Sequence, residues 1–267
     1  MFKRIFSKKN RVLVAELVRT DFKLRYQGSA LGYAWSLLRP LFIFLILYIV
    51  FVKFLKLGNG IPHYPVYLLL GIVLWNFFVE MTTQSLGSIV GRGDLIRKIQ
   101  IPRWIIVIST SLSAIINLFL NLIVVAIFMD LNNVSISGTY LWAPLIIFEI
   151  YILALGVSFF LAAAFVKYRD ISYVWEVLLQ AGFYATPILY PLSSIHNISI
   201  QKIILLNPVA QAIQSARYEI VTNQTITTKT VFINSPLRFI PFIIVIAVFL
   251  YGALYFKKKS KYFAENI

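Results

Sequence analysis

The sequence is short of charge for its length and has no cysteine at all. Of its 267 residues, 13% are charged and 60% are hydrophobic. Soluble domains contain roughly 25% charged residues, so this composition indicates lipid rather than water as the main solvent. The absence of cysteine excludes disulfides and cysteine-based metal sites, and it leaves the compartment open.

Residue types that carry catalysis are also scarce. The two histidines, His63 and His196, lack the spacing of metal ligands. The sequence has no Gly-x-Ser-x-Gly motif and no phosphate-binding Gly-x-x-x-x-Gly-Lys-Ser/Thr motif. We therefore expect no catalytic residue, no metal and no cofactor in this chain. Any energy from ATP would have to come from another subunit.

Long apolar runs are abundant. A hydrocarbon core about 30 Å thick requires roughly 20 apolar residues in a helix. Six stretches qualify, and the fifth is the least regular because Glu176, Gln180 and two prolines interrupt it. We expect an all-α integral membrane protein with six transmembrane helices, at about residues 37–55, 64–83, 104–129, 140–166, 171–192 and 237–256. They form one domain, 37–256, between a cytoplasmic N-terminal segment, 1–36, and a basic tail, 257–267.

The basic residues are distributed unevenly over such a bundle. With six spans, 19 of the 25 Lys and Arg residues fall on the side that carries both termini. Cytoplasmic loops are enriched in basic residues, so both termini should be cytoplasmic. The net charge of +15 is then an orientation signal, and we expect no nucleic-acid partner. No compact apolar run ending in small residues follows the N-terminus, so we expect no cleavable signal peptide.

Two segments outside the spans have helical apolar faces. Residues 12–26 place Arg19 and Lys23 opposite an apolar face, which is typical of an amphipathic helix lying along the membrane surface. A basic anchor that merely fixes topology is the alternative for this segment. Between the last two spans, "ISIQKIILL" is too short to cross a membrane, and Asn207-Pro208 separates it from a second apolar stripe. We expect short reentrant or interfacial helices there.

Several residues are candidates for a channel or gate. Glu149 lies near the midplane of the fourth span, where an ionisable group must face the bundle interior or be protonated. It either lines a pathway or makes a structural hydrogen bond between helices. The other candidates are aromatic residues and helix breakers: Trp75, Phe77, Phe78, Phe183, Tyr184, Pro187, Tyr190, Asn207 and Pro208. Aromatic faces suit sugar rings and lipid tails alike, and an interfacial aromatic belt is the alternative.

Five motifs follow one another along the chain. They are "LVRTDFKLRYQGSALGYAWSLLRPL" before the first span, "LWNFFVEMTTQSLGSIVGRGDLIRKIQIPR" after the second, "KYRDIS" between the fourth and fifth, "ATPILYP" and "LNPVAQAI". They are spread in order from residue 17 to residue 213. The ordered set resembles the membrane subunit of polysaccharide-exporting ABC transporters of type 2. One departure is "IPRW", where that family often has Phe-Pro-Arg and a more polar turn.

The resemblance implies partners and a cargo. It implies a homodimer of six-span permeases with two ABC ATPase subunits, which would bind ATP and magnesium. The cargo would be a lipid-diphosphate-linked glycan (O-antigen, capsule or teichoic acid) crossing the bacterial cytoplasmic membrane. Arg25 and Arg39 are candidates for meeting the diphosphate where the substrate enters, since guanidinium groups bind such oxyanions bidentately.

The loop after the second span resembles a coupling helix that docks on the ATPase. Its residues are Asp94, Leu95, Ile96, Arg97, Lys98 and Ile99. Asp94 suits a helix N-terminus, and Arg97 and Lys98 suit its end. Leu95 and Ile99, four residues apart, would offer an apolar face to the partner.

Three other functions remain open from the sequence. A drug or lipid exporter of the same architecture would share these features. A membrane enzyme acting on polyprenyl-linked sugars lacks a recognisable acid–base or metal constellation here. A secondary carrier that uses Glu149 would be driven by the proton gradient rather than by ATP.

Overall fold

A computed structural model describes residues 8–26, 29, 31–56, 58, 60–98, 101–135 and 138–263, and every regular element among them is helical. The α-helices are α1 (Lys8–Tyr26), α2 (Trp35–Leu47, continued by a π-helical stretch, Tyr48–Phe54), α3 (Tyr64–Leu86), α4 (Gly93–Lys98), α5 (Trp104–Leu131), α6 (Ala143–Lys167), α7 (Ile171–Ala185), α8 (Ile198–Leu206), α9 (Pro208–Ile220), α10 (Thr228–Val231) and α11 (Ile240–Lys259). Short 3₁₀ turns are found at Gly32–Ala34, Val90–Arg92, Gly138–Trp142, Leu192–Ser194, Pro236–Phe239 and Ser260–Tyr262. The all-α class predicted from the sequence is confirmed.

Most of the predicted spans are present as long apolar helices. Within the described residues, five stretches are long and apolar enough to cross a membrane: Trp35–Phe54, Tyr64–Leu86, Trp104–Leu131, Tyr140–Lys167 and Pro236–Tyr262. They correspond to the first, second, third, fourth and sixth predicted spans. Several extend past the predicted ends because polar residues such as Gln84 and Ser85 continue the helix beyond the apolar run.

The fifth predicted span, 171–192, is not one continuous helix. α7 ends at Ala185 after 15 residues, fewer than the roughly 20 that a spanning helix requires. Thr186 has an extended backbone (ψ 135°) immediately before Pro187, because proline disfavours the helical conformation of the residue that precedes it. The prediction of a helix through residue 192 is therefore wrong, and its last third is an irregular segment.

α3 lies at the centre of the bundle. It packs against α5 and α6 on its sides and against α9 near its start. Most of its side chains are buried, from Tyr64 to Leu86. Within a bilayer, close van der Waals packing of such side chains favours the association of helices, and it makes α3 the scaffold that positions the other elements.

α6 and α11 pack closely because each has a glycine at the contact. A Cβ added to Gly156 would overlap the backbone of Phe249, and one added to Gly252 would overlap the backbone of Gly156. Small residues let two helix backbones approach in this way, which is typical of packing within membranes. This contact places α11 directly beside α6.

α1 is helical from Lys8 and packs against α5. Leu13, Leu17 and Val18 are half-buried, whereas Arg19 and Lys23 are exposed. An amphipathic helix that lies along a membrane surface stays a prediction.

Candidate functional site

One end of the bundle, which we call the inner end, is where α3 leads through α4 into α5. α4 has Asp94 in its first turn and Arg97 and Lys98 in its last, so these charges complement the helix dipole. All three are exposed, whereas Ile96 is buried and Leu95 is half-buried. α4 thus presents its charges outward and is anchored by an isoleucine.

The apolar surface of α4 differs from the predicted Leu95–Ile99 pair. Ile99 lies outside the described residues, so its part of the prediction stays open. Ile96 belongs to the hydrophobic core of the bundle. Among the described residues of α4, Leu95 is the side chain that retains apolar surface for a partner.

Arg92, directly before α4, joins the loop to two helices. Its guanidinium forms an ion pair with Asp21 of α1 and donates a hydrogen bond to the Ser109 hydroxyl of α5 over 3.4 Å. The side chains of Arg92 and Asp21 are 17% and 24% exposed. In the sequence, Asp21 interrupts the apolar face of α1. Its ion pair with Arg92 explains why a carboxylate stands at this position. We call this set of three residues the inner brace.

Three of the predicted aromatic residues, Trp75, Phe78 and Phe183, form one cluster with Trp175 between α3 and α7. The ring centroids of Trp75 and Phe78 lie 5.9 Å apart, those of Trp75 and Phe183 6.1 Å, and those of Phe78 and Trp175 6.2 Å. The Trp175 indole also donates to the Thr82 hydroxyl over 3.2 Å. Aromatic pairs at these separations add to area burial, and they hold α7 on α3.

The opposite side of α7 is open. None of its side chains is buried, and Tyr173, Val177, Leu178 and Tyr184 are each more than half exposed. Tyr184, predicted at a channel or gate, is therefore on the outward face, whereas Phe183 is in the aromatic cluster. α7 leaves an apolar and tyrosine-rich surface without a covering element among the described residues.

Phe77 lies away from this cluster, against an inner cavity of about 440 Å³ between α2, α3 and α5. The polar wall of that cavity is built around Glu80. Its Oε1 accepts hydrogen bonds from the amides of Asn117 (2.5 Å) and Gln84 (2.7 Å). A half-buried acid that accepts hydrogen bonds from two amides therefore forms the polar wall of this cavity.

The side chains of Arg25 and Arg39 lie outside the described part of the chain. Their backbones belong to α1 and α2. Arg39 is next to Pro40, which lines the inner cavity. Their predicted role with a diphosphate stays a prediction.

At the other end of the bundle, the outer end, a fully buried arginine was missed by the sequence analysis. Arg217 of α9 is 0% exposed. It donates to the backbone carbonyls of Tyr67 (2.9 Å), Pro187 (2.5 Å) and Ile188 (2.8 Å), and to Gln214 Oε1 (3.2 Å). Its guanidinium also lies 3.8 Å from the Tyr67 ring centroid. These acceptors and the aromatic face compensate a buried charge without a carboxylate among them.

The irregular segment Thr186–Tyr190, which we call the outer break, is held from several directions. In addition to the two bonds from Arg217, the Tyr64 hydroxyl donates to the Leu189 carbonyl over 2.8 Å. The Tyr190 hydroxyl donates to the carbonyl of Tyr184 over 3.2 Å. Three consecutive carbonyls of the break, those of residues 187–189, thus accept side-chain donors from α3 and α9. This pairing replaces the helical hydrogen bonds that Pro187 interrupts.

Asn207 and Pro208 set the start of α9, as their sequence predicts. The Asn207 side chain accepts from the Val209 amide over 3.0 Å, and Pro208 takes the first helical position. Asn207 also donates to the Thr186 hydroxyl over 3.5 Å. The same helix cap therefore links α9 to the outer break.

Glu149 lies in a different place from the aromatic cluster. It is buried in α6, beside Gln211 of α9, and it lines an outer cavity of about 400 Å³ bounded by α6, α9 and the start of α11. The structure thus associates Glu149 with the outer cavity, and its role in a pathway stays a prediction.

Comparison with known proteins identifies a family and close relatives. Residues 13–221 match the family described as "ABC-2 type transporter". Two proteins from Klebsiella pneumoniae, each called O-antigen export system permease protein RfbA, are similar to the chain. One is 31% identical over 206 residues (77% of this chain and 78% of the relative), and the other is 29% identical over 238 residues (89% and 90%). A protein of the same name from Myxococcus xanthus is 28% identical over 206 residues (77% and 78%).

Proposed function

The chain belongs to the ABC-2 type transporter family, and we propose that it is the membrane subunit of an ATP-driven exporter of lipid-diphosphate-linked polysaccharide. We infer the class of cargo from the name shared by these three relatives, O-antigen export system permease protein. O-antigen is accordingly the cargo we place first, and capsular polysaccharide and teichoic acid belong to the same chemical class. The matched region contains α4, the inner cavity and the outer break.

For the membrane topology, we propose six spans in the bacterial cytoplasmic membrane, the fifth being α7 together with the outer break. A helix of 15 residues rises about 22 Å, and the turns and bends of the outer break carry the chain further across a core of about 30 Å. Irregular backbone inside a membrane requires internal hydrogen-bond partners, and Arg217 and Tyr64 supply them. Six spans put both termini and the inner end in the cytoplasm, in agreement with the basic residues there.

Coupling to an ATPase subunit is assigned to α4. The chain has no nucleotide-binding motif of its own, and α4 is a short helix with exposed charges at the cytoplasmic end. The inner brace ties this helix to α1 and α5, so a movement imposed on α4 is passed to a span and to the N-terminal helix. ATP and magnesium would be bound by the partner.

A second copy of the chain is assigned to the open face of α7. A 15-residue helix with no buried side chain gains little from its own subunit beyond the aromatic cluster. Its exposed face carries Tyr173 and Tyr184 with Glu176 and Gln180, a mixture suited to a glycan as well as to a facing helix. We therefore propose a homodimer whose pathway runs between the two α7 helices, with Arg25 and Arg39 near its cytoplasmic mouth.

The test is a co-purification combined with a glycan assay in the native host. The residues of α4 from Asp94 to Lys98 are replaced by Gly and Ser, and the matched control replaces the exposed Lys257 and Lys258 at the same membrane side by Ala. We expect the unaltered chain and the control to bring down an ATPase with a P-loop, and the α4 variant to lose it. Cells with the α4 variant should accumulate lipid-linked glycan in the cytoplasmic leaflet.

Two results would contradict parts of the proposal. An ATPase recovered equally with the α4 variant would remove the coupling role of α4. Recovery that depends on α4, without glycan accumulation, would mean that the exporter carries a drug or another lipid. Transport that survives ATP depletion and stops when the proton gradient collapses would favour a secondary carrier.

A further inference from the structure

Two acceptor atoms in the outer cavity are buried and have no donor within the part of the chain that the structure describes. Glu149 and Gln211 are 8% and 2% exposed. Glu149 Oε1 and Gln211 Oε1 have no hydrogen-bond partner among the described residues, whereas the Gln211 amide nitrogen donates to the Ser215 hydroxyl over 3.1 Å. If the Gln211 amide group were turned over, its nitrogen would donate one hydrogen bond to Glu149. A carboxylate can accept several hydrogen bonds, so further donors would still be needed. Such groups call for a donor from outside the chain.

The mouth of the same cavity has the opposite charge. Lys229 of α10 and Arg238, just before α11, line it and are both exposed. Glu219 of α9 also lines the cavity, so two cations and one carboxylate leave this part with a net positive charge, which suits an anion such as a phosphate. The cavity is therefore acidic at its floor and basic at its rim.

The remaining wall of the cavity is apolar and faces outward. Trp142, Leu145 and Phe239 line it and are each about half exposed or more. They stand at the outer ends of the spans that contain α6 and α11. Under a six-span topology this wall faces the acyl chains of the outer leaflet.

We propose that the outer cavity binds a zwitterionic phospholipid that carries a primary ammonium, of the phosphatidylethanolamine type. The ammonium donates to Glu149 and Gln211, the phosphate lies against Lys229 and Arg238, and an acyl chain follows the apolar wall. A sugar would account for the acceptors and the aromatic rim but not for the two cations. The site lies away from α7 and does not depend on which glycan is exported.

The test measures lipid retention by the purified full-length chain after delipidation in detergent. Native mass spectrometry compares phosphatidylethanolamine with phosphatidylcholine, whose quaternary ammonium has no N–H, and with phosphatidylglycerol, which has no ammonium. We expect one saturable phosphatidylethanolamine per chain. Phosphatidylcholine should bind about tenfold more weakly, because the hydrogen bonds to the floor of the cavity are lost.

Substitutions separate the floor from the rim. Glu149→Gln keeps the shape of the side chain. It should weaken the binding of phosphatidylethanolamine about tenfold and leave the binding of phosphatidylglycerol unchanged. The matched control, Glu16→Gln, removes an exposed acid of α1 and should change the binding of neither lipid. Lys229→Ala with Arg238→Ala, both at exposed positions, should weaken both lipids. Added phosphatidylethanolamine should raise the thermal midpoint of the unaltered chain and not that of Glu149→Gln.

Three outcomes would overturn the proposal. The first is equal binding of phosphatidylethanolamine and phosphatidylcholine. The second is a Glu149→Gln variant that elutes as a folded protein and binds phosphatidylethanolamine like the unaltered chain. The third is displacement of the lipid by a neutral oligosaccharide in a manner that depends on Glu149, which would make the cavity a sugar site.

Discussion

The two ends of the bundle each hold an irregular stretch of chain with one arginine, but they do so in opposite ways. At the inner end, Arg92 pairs with the carboxylate of Asp21, and both side chains keep contact with solvent. At the outer end, Arg217 is completely buried, and its donors go to backbone carbonyls, one amide oxygen and an aromatic face. The same residue type thus serves two different purposes.

The difference concerns what happens when a contact opens. The side chains of Arg92 and Asp21 are 17% and 24% exposed, so water can reach this ion pair and replace a partner when the pair opens, which limits its contribution to stability. Water cannot take the place of the partners of a fully buried charge. The carbonyl groups that lose its hydrogen bonds are then also left without a donor. Under the proposed function, the inner brace can respond to an ATPase that docks on α4, whereas the Arg217 contacts hold the outer break in one conformation.

The largest effect is expected from removal of the buried guanidinium. Arg217→Met fills a similar volume but leaves the carbonyls of Tyr67, Pro187 and Ile188 without donors, so we expect the free energy of unfolding to fall by about 3–5 kcal/mol. Unfolding titrations in mixed micelles measure this. The matched control is Lys202→Met, an exposed cation of α8, with a change within about 0.5 kcal/mol. A loss below about 1 kcal/mol for Arg217→Met would show that the two ends are held equally weakly.

A smaller effect is expected from crowding the same group. A Cβ added at Gly71 of α3 would overlap the Arg217 guanidinium, which is fixed by its acceptors. Gly71→Ala should therefore lower the free energy of unfolding by about 2 kcal/mol, which lies within the usual range for an overpacked core. Gly87→Ala, at the end of the same helix with open space around it, should be neutral or slightly stabilising. Equal stability of the two variants, measured by thermal unfolding, would mean that Arg217 can move.

Much of the fold could be predicted from the sequence, because a bilayer requires about 20 apolar residues per span and these runs are easily recognised. The end of α7 could not be located from apolarity alone, since residues 186–192 are as apolar as the helix before them. The two prolines interrupt the fifth predicted span in the sequence, and in the structure the helix ends two residues before Pro187. The Asn207-Pro208 break was predictable because capping chemistry is local.

The candidate site was predictable only where its chemistry is local. The charges of α4 follow helix-end preferences within six residues, and the structure bears them out in position. Arg217 carries no such signal, because its acceptors are backbone carbonyls 150 and 30 residues away in sequence, at Tyr67 and Pro187. The residues four positions before and after it are Ile213 and Val221, so no carboxylate at these positions indicates an ion pair. In the sequence it looks like another charge of an outer loop.

The smallest effect is expected at the inner brace, and a charge swap tests it. Asp21→Arg and Arg92→Asp alone should each lower the free energy of unfolding by about 1 kcal/mol. The pair is partly exposed, so water can solvate the charge that loses its partner. The double variant should recover at least half of the summed loss, measured as a coupling energy in a double-mutant cycle. A coupling above about 3 kcal/mol would make the brace as rigid as the Arg217 contacts. The inner end would then be a fixed support rather than an adjustable one, and the contrast between the two ends would fail.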